Sequence, residues 1–325
     1  MAARVVCLSP YSKEQVEGLF AGRQSVEVVT VPDPPAPEAV IRECSMAELV
    51  IADKRHKHRL PRQVLEQMRR CLLIQMPAVG FDVVDHRAAA EFDIAVANSA
   101  GYNREGVADW TVMAILNLVR QGSWGDRRLR EGGWPKPEML GHELAALTVG
   151  IVGLGNVGSA LATRLLPFGP RVVYTDIVER RFAGVERVTF VDLLELADVV
   201  CVHVPLDQTT HHLIDARALK RMRRGAFLVN ASRGPVVDEK AIIAALESGH
   251  LGGAGLDVFE HEPTPADNPL RRMENVFLSP HVAGYTAEAE ARALEMVRDN
   301  LTRVLEGEEP FNVVNGVRLG ARLRR

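Results

Sequence analysis

Three short stretches of the chain set an ionisable side chain beside a glycine turn: N-A-S-R-G at 230–234, G-L-D-V-F-E-H-E-P at 255–263 and S-P-H-V-A-G at 279–284. Each follows or closes an apolar run of strand composition, so Arg233, Glu262 and His281 fall outside the carboxyl ends of strands, where open parallel sheets bind ligands. The three types complement one another. An imidazole titrates near neutrality and suits proton transfer, a neighbouring carboxylate favours its protonated form and orients it, and a guanidinium offers a planar fork to an anionic ligand. Singly, each also reads as an ordinary group: Arg233 as a loop cation, Glu262 as a solvated twin of Glu260, His281 as a capped turn residue. His261 lacks the S-P-H context and reads as surface.

A second kind of chemistry is written into Leu147–Asp176. The apolar run Leu147–Val152 reads as a strand, and Val157, Ala160, Leu161, Leu165 and Phe168 recur at helical spacing until Gly169 and Pro170 stop the helix. Gly153, Gly155 and Gly158 form G-x-G-x-x-G at the turn between them, where a pyrophosphate can approach the backbone and meet the first helical N–H groups, those of Asn156 and Val157. Asp176 ends the next strand, where a carboxylate takes the ribose hydroxyls and repels a 2′-phosphate, so NAD is the expected cofactor. Arg180 and Arg181 could accept a 2′-phosphate by folding back, which keeps NADP as the less favoured reading.

Those sites need elements to hold them. At 325 residues the chain is long enough for two domains. A formal net charge of −3 gives no pull toward nucleic acid or an anionic membrane, and no apolar run reaches bilayer length, so a cytoplasmic protein without nucleic-acid or membrane partners is expected. Cys7, Cys44, Cys71 and Cys201 are scattered without C-x-x-C spacing and read as reduced packing residues, with no metal site.

In the first part of the chain, apolar runs at Val5–Leu8, Val26–Val31, Leu49–Ala52, Leu72–Gln75 and Ile94–Ala97 alternate with helical stretches near 12–21, 37–44, 61–70 and 83–91. After the fingerprint, strands are expected at Asp198–Pro205, Ala226–Asn230, Leu251–Val258 and Val276–Ser279. Alternation of this kind makes an α/β protein of two doubly wound parallel-sheet domains. A Rossmann-type dinucleotide domain, 99–285, is inserted into a flavodoxin-like substrate domain made of 1–98 and 286–325. The helix from Asn103 to about Gln121 is apolar nearly all round, which suits either an interface or a core, and Gly122–Pro137 reads as a loop with a short helix that could reach a second subunit. Thr286 opens a long helix closed by Gly307, and a last strand, Asn312–Val314, packs back on the first domain.

Taken together, V-G-F-D-V-V-D (79–85), G-L-G-N-V-G (153–158), V-P-L-D-Q-T-T (204–210) and the three ionisable segments resemble the D-isomer-specific 2-hydroxyacid dehydrogenase family over nearly the whole chain. The resemblance implies hydride transfer between NAD and a small 2-hydroxy or 2-keto acid, with His281 as acid and base, Glu262 as its partner and Arg233 on the substrate's carboxylate and carbonyl oxygen. It implies that the backbone N–H groups of Val79 and Gly80 hold the carboxylate from the other side, and that Asp257 orients the nicotinamide amide. It also carries cofactor contacts onto Val204, Pro205, Thr210, Ala231, Ser232, Arg233, His281 and Gly284, and pairing into a homodimer through the cofactor domain. The cleft would close about hinges near Asn98–Gly101 and Gly284–Thr286. Formate dehydrogenases of the family carry glutamine where Glu262 stands, and phosphite dehydrogenases a lysine where Val79 stands, so neither substrate is expected. Where the family often has Glu-His in its long helix, this chain has Asp109 and Trp110.

The basic run Lys54–His58 has two readings: a solvated face, or an anion funnel in which Arg55 meets a second acidic or phosphate group of the substrate. A regulatory protein that senses NAD(H) on the same fold is the alternative to an enzyme.

Overall fold

The computed structural model describes residues 2–21, 26–31, 37–55 and 57–324, with the side chains of 321 and 324 excepted; His56 of the basic run lies outside the described residues. Two compact units emerge, one formed by Met1–Asn103 with Thr286–Arg325, the other by Arg104–Tyr285. The first boundary falls a few residues beyond the strand end at which the sequence puts it. Residues 98–103 stay with the first unit because Asn98 N–H donates to Asn312 O (3.2 Å), Ser99 N–H to Ala78 O (3.0 Å) and Arg292 Nε to Tyr102 O (2.8 Å).

The first unit holds a five-stranded parallel sheet of β1 (Ala3–Cys7), β2 (Val26–Thr30), β3 (Leu49–Ile51), β4 (Leu73–Gln75) and β5 (Ala95–Ala97), in the flavodoxin-like order β2-β1-β3-β4-β5. Strands β3, β4 and β5 are buried throughout, as parallel strands covered on both faces must be. One face packs Val6, Val50, Ile74 and Val96; the other packs Val5, Leu49, Leu73 and Ala95 under Val297 and Leu301 of the returning helix Ala287–Leu305. The expected last strand is a single antiparallel bridge, Ala97 to Val313, flanked by Val314 N–H on Val96 O (2.8 Å). It covers the β5 edge.

The second unit is a seven-stranded parallel sheet. Its strands are β6 (Thr148–Val152), β7 (Arg171–Thr175), β8 (Val185–Arg187), β9 (Val199–Val202), β10 (Phe227–Asn230), β11 (Gly253–Leu256) and β12 (Val276–Leu278), ordered β12-β11-β10-β9-β6-β7-β8. The order reverses between β6 and β9, which makes that crevice the ligand-binding switch point. Sequence periodicity missed β8 because it is an edge strand of three residues whose Glu186 and Arg187 face water. Gly122–Arg130 is a regular helix rather than mostly loop. The apolar helix Arg104–Val119 is core to its own unit: Ala114 and Leu118 lie against Gly253 and Gly255 of β11, Ile115 is fully buried in the same core, and Trp110 stacks on Phe277 with centroids 5.7 Å apart. Asp109 pairs with Arg164 of the helix Asn156–Leu165.

The four cysteines are buried and unpaired. Burial pushes the thiols of Cys7 and Cys44 up to about 12 and raises those of Cys71 and Cys201 further, which leaves them as packing groups.

Candidate active site

Two of the three fingerprint glycines answer separate steric demands within the fold. Gly153 takes φ 92°, and a Cβ there would stand 2.6 Å from His203 O and 2.8 Å from Val204 Cγ1. A Cβ at Gly158 would lie 2.1 Å from Gly153 O, so only glycine lets the helix Asn156–Leu165 sit on the turn. A Cβ at Gly155 would meet nothing within 4 Å. That open side lies at the start of a helix with no side-chain cap, so its first N–H groups are available to phosphate oxygens. Asp176 is tied into the same turn, accepting Leu154 N–H (2.8 Å) at Oδ2 and Val178 N–H (2.9 Å) at Oδ1. Arg180 Nε lies 3.6 Å from Asp176 Oδ2, which places a cation beside that carboxylate. Val204 and Pro205 open a loop closed on itself, with Thr210 Oγ1 donating to Pro205 O (2.6 Å) and Asp207 Oδ1 accepting Thr209 and Thr210 N–H. These residues fit NAD, which supplies or accepts the hydride when bound.

His203, which the sequence did not single out, ends the ladder of β9 by donating its N–H to Val152 O (2.8 Å). Its Nε2 is buried without a partner among the described residues, and burial pushes the imidazole down to about 4. The unfolded chain, titrating at its ordinary value near 6.5, binds more protons than the fold between those limits. Stability therefore rises with pH through that window and is lost as pH falls, by on the order of 2–3 kcal/mol at about pH 4.5. In His203→Gln the difference in melting temperature between pH 7 and about pH 4.5 shrinks by several degrees; identical differences in both proteins would sink this account.

The ionisable residues sit on three turns, of which the first two are pressed together. Asn230, the buried last residue of β10, accepts Ser232 N–H (3.0 Å) and Ser232 Oγ (2.8 Å) and donates to Arg233 O (3.0 Å), shaping the Ala231–Arg233 turn. Its signal in the sequence is an amide closing an apolar strand. Arg233 Nη1 donates to Ser232 O (2.8 Å). A Cβ on Gly234 would lie 1.9 Å from Phe259 O, so the Arg233 turn touches the turn that carries Glu262.

Glu262 Oε1 accepts Phe259 N–H (3.0 Å) and Oε2 stands 2.7 Å from His281 Nδ1. Burial raises its pKa, but the hydrogen bond and charge of His281, the Phe259 N–H and the charge of Arg233 together hold it below the usual glutamate range. Glu260, the twin, goes elsewhere: its Oε1 is 2.8 Å from His212 Nε2 and accepts Glu239 N–H (3.1 Å). His261 is exposed.

His281 adopts φ 55°, and its N–H donates to Asp257 O (2.8 Å). The Asp257 carboxylate, 1% exposed, accepts Ser279 Oγ and Val282 N–H (2.8 Å) at Oδ1 and Ala283 N–H (2.8 Å) at Oδ2, pinning the turn that presents the imidazole, just before Gly284. With Nδ1 committed to Glu262, Nε2 is the ring atom left to exchange a proton.

In the first unit, Val79 is exposed beyond β4 beside Gly80. The basic run is folded around the buried Asp53, which accepts Arg55 N–H (3.0 Å), Lys57 N–H (3.2 Å) and His58 N–H (3.2 Å), with Arg55 Nε at 3.1 Å. His58 is buried against the same carboxylate and Lys54 pairs with Glu290, so part of the run is internal structure rather than a solvated face.

A doubly wound sheet with this phosphate cradle at its switch point, and a carboxylate-steered imidazole beyond its strand ends, defines a dinucleotide-dependent dehydrogenase. Residues 112–283 match the model of the D-isomer specific 2-hydroxyacid dehydrogenase NAD binding domain. The glyoxylate reductase of Korarchaeum cryptofilum is 39% identical over 293 residues, 87% of this chain and 87% of that one. The (S)-sulfolactate dehydrogenase of Chromohalobacter salexigens is 38% identical over 256 residues, 77% and 83% of the two chains. D-Lactate dehydrogenase from Aquifex aeolicus, solved with NAD and lactic acid, superposes with a TM-score of 0.83 at 29% identity, covering 96% of this chain and 99% of that one. The chain belongs to the D-isomer specific 2-hydroxyacid dehydrogenase family and is an NAD-binding oxidoreductase of 2-hydroxy acids.

Proposed function

We propose that this enzyme reduces a small 2-keto acid, glyoxylate first among candidates, and that His281, Glu262 and Arg233 do the chemistry. The observation that carries the assignment is the 2.7 Å pair of His281 Nδ1 and Glu262 Oε2, held on a turn pinned by Asp257. As the carbonyl carbon is reduced, its oxygen gathers negative charge and needs a proton; His281 Nε2 delivers it, and in the reverse direction removes it. Glu262, ionised across neutral pH, holds the plane of the imidazole. Arg233 grips the substrate's carboxylate and carbonyl oxygen, the Val79 and Gly80 amides hold the carboxylate, and Arg55 receives a second acidic group where a substrate has one.

With NADH, the purified protein is expected to consume absorbance at 340 nm against at least one of glyoxylate, hydroxypyruvate, pyruvate, 3-sulfopyruvate and phosphohydroxypyruvate. Loss with none of them would end the reading. A preference for the doubly acidic substrates would support the role of Arg55.

The same proposal includes a homodimer through the second unit. Trp134 (78%) and Leu140 (88%) are exposed there, and Leu140 lines a cavity of about 310 Å³ with Leu118, Trp124 and Phe277. Among the described residues no helix is long and apolar enough to cross a membrane. Four unpaired cysteines suit a reducing cytoplasm.

A further inference from the structure

Three carbonyls of the loop after β4 face one short segment. Met76 O accepts Ser99 Oγ (3.0 Å) and Gln75 Nε2 (2.9 Å), Ala78 O accepts Ser99 N–H (3.0 Å), and Val79 O accepts Asn98 Nδ2 (2.7 Å). In a trans peptide the N–H points opposite to the C=O. Holding the carbonyls of Ala78 and Val79 against residues 98 and 99 therefore turns the N–H groups of Val79 and Gly80 away from that segment, both to the same side. In an extended strand successive N–H groups alternate, so this parallel aim is a property of the loop. Neither N–H has an acceptor among the described residues. Two adjacent N–H groups aimed together make a small anion-binding concavity.

Of the two clamps, the Ser99 bond is backbone and independent of the side chain. The bond that orients the Val79–Gly80 peptide depends on the side chain of Asn98, which is 7% exposed. Asn98 is itself held, its N–H on Asn312 O. The frame behind it is rigid: Gln75 Oε1 accepts Asn300 Nδ2 (2.7 Å), and Asn300 Oδ1 accepts Phe311 N–H (2.7 Å).

We infer that Asn98 is a positioning residue for substrate recognition: through the Val79 carbonyl it aims the Gly80 N–H at the substrate's carboxylate. The inference rests on the reading that the Val79 and Gly80 amides hold that carboxylate. Without the Asn98 amide the peptide is free to rotate, and the loss falls on binding of the anion rather than on hydride transfer.

The test compares glyoxylate with its neutral amide, glyoxylamide, in wild type and Asn98→Ala. The variant is expected to raise KM for glyoxylate roughly tenfold, with kcat, KM for NADH and kcat/KM for glyoxylamide each within about twofold. Asn98→Ser, whose hydroxyl is too short to reach the Val79 carbonyl, gives the same pattern and serves if the alanine variant does not fold. Equal losses on glyoxylate and glyoxylamide overturn the inference, since they mark general damage to the fold. An active wild type with an unchanged variant overturns it alone, whereas a wild type inert on every 2-keto acid sinks the underlying reading with it.

Discussion

Replacing His281 by asparagine is expected to lower kcat by on the order of 10²–10⁴, while the dissociation constant for NADH stays within about threefold. Asparagine is the replacement of choice because residue 281 sits at φ 55°, a conformation that asparagine tolerates better than most side chains. It keeps a polar group in the turn and removes the one that titrates. The turn itself does not depend on the ring, since His281 N–H, Val282 N–H and Ala283 N–H are all held by Asp257. The dinucleotide cradle also stays intact, so the loss concentrates in the proton-transfer step. Stopped-flow or steady-state rates with NADH, alongside fluorescence titration of NADH, separate the two. Turnover within tenfold of wild type would remove His281 from the reaction and favour a protein that senses NAD(H) without consuming it.

The second large effect is expected at Gly234, which touches no substrate. An alanine Cβ there would stand 1.9 Å from Phe259 O and 2.0 Å from its carbonyl carbon, so one of the two turns must move by an ångström or more. One of those turns bears Arg233; the other bears Glu262 and, through it, steers His281. A displacement of that size between reacting groups costs on the order of 10² in rate. Gly234→Ala is expected to lower kcat/KM for the keto acid by about that factor and the melting temperature by roughly 5–10 °C. Gly155→Ala is the contrast: its Cβ meets nothing within 4 Å, so its melting temperature holds while its affinity for NADH falls. A Gly234→Ala enzyme with wild-type kcat/KM would show that the contact between the turns is not what aligns the catalytic groups.

Much of the architecture was readable because its signals are local. The apolar runs of β3, β4 and β5 are short, unbroken and bounded by turn residues, as strands buried on both faces must be. The glycine pattern between β6 and its helix is likewise a steric requirement spelled out within six residues. Edge elements carried no such signal: β8 is three residues with two exposed, and the Asn312–Val314 strand reduces to one bridge. The basic run misled in part, because charge patterning records residue types and not the buried Asp53 that folds Arg55, Lys57 and His58 around itself.

By itself the sequence determined the two sheets, the phosphate-binding turn, and the presence of one guanidinium, one carboxylate and one imidazole at strand ends. These follow from periodicity and residue chemistry, which act over a few positions. The pairing of Glu262 with His281 follows already from the family resemblance. What Glu260 does, two residues away in sequence from that catalytic carboxylate candidate and across the turn between them, was decided only by the tertiary structure, which sends it to His212. The same holds for Asn230, Asp257 and Asn98, whose roles lie in carbonyls and N–H groups brought near by other strands. Hydrogen bonds of that kind exist only once the sheet has set its register, so no pattern along the chain can announce them.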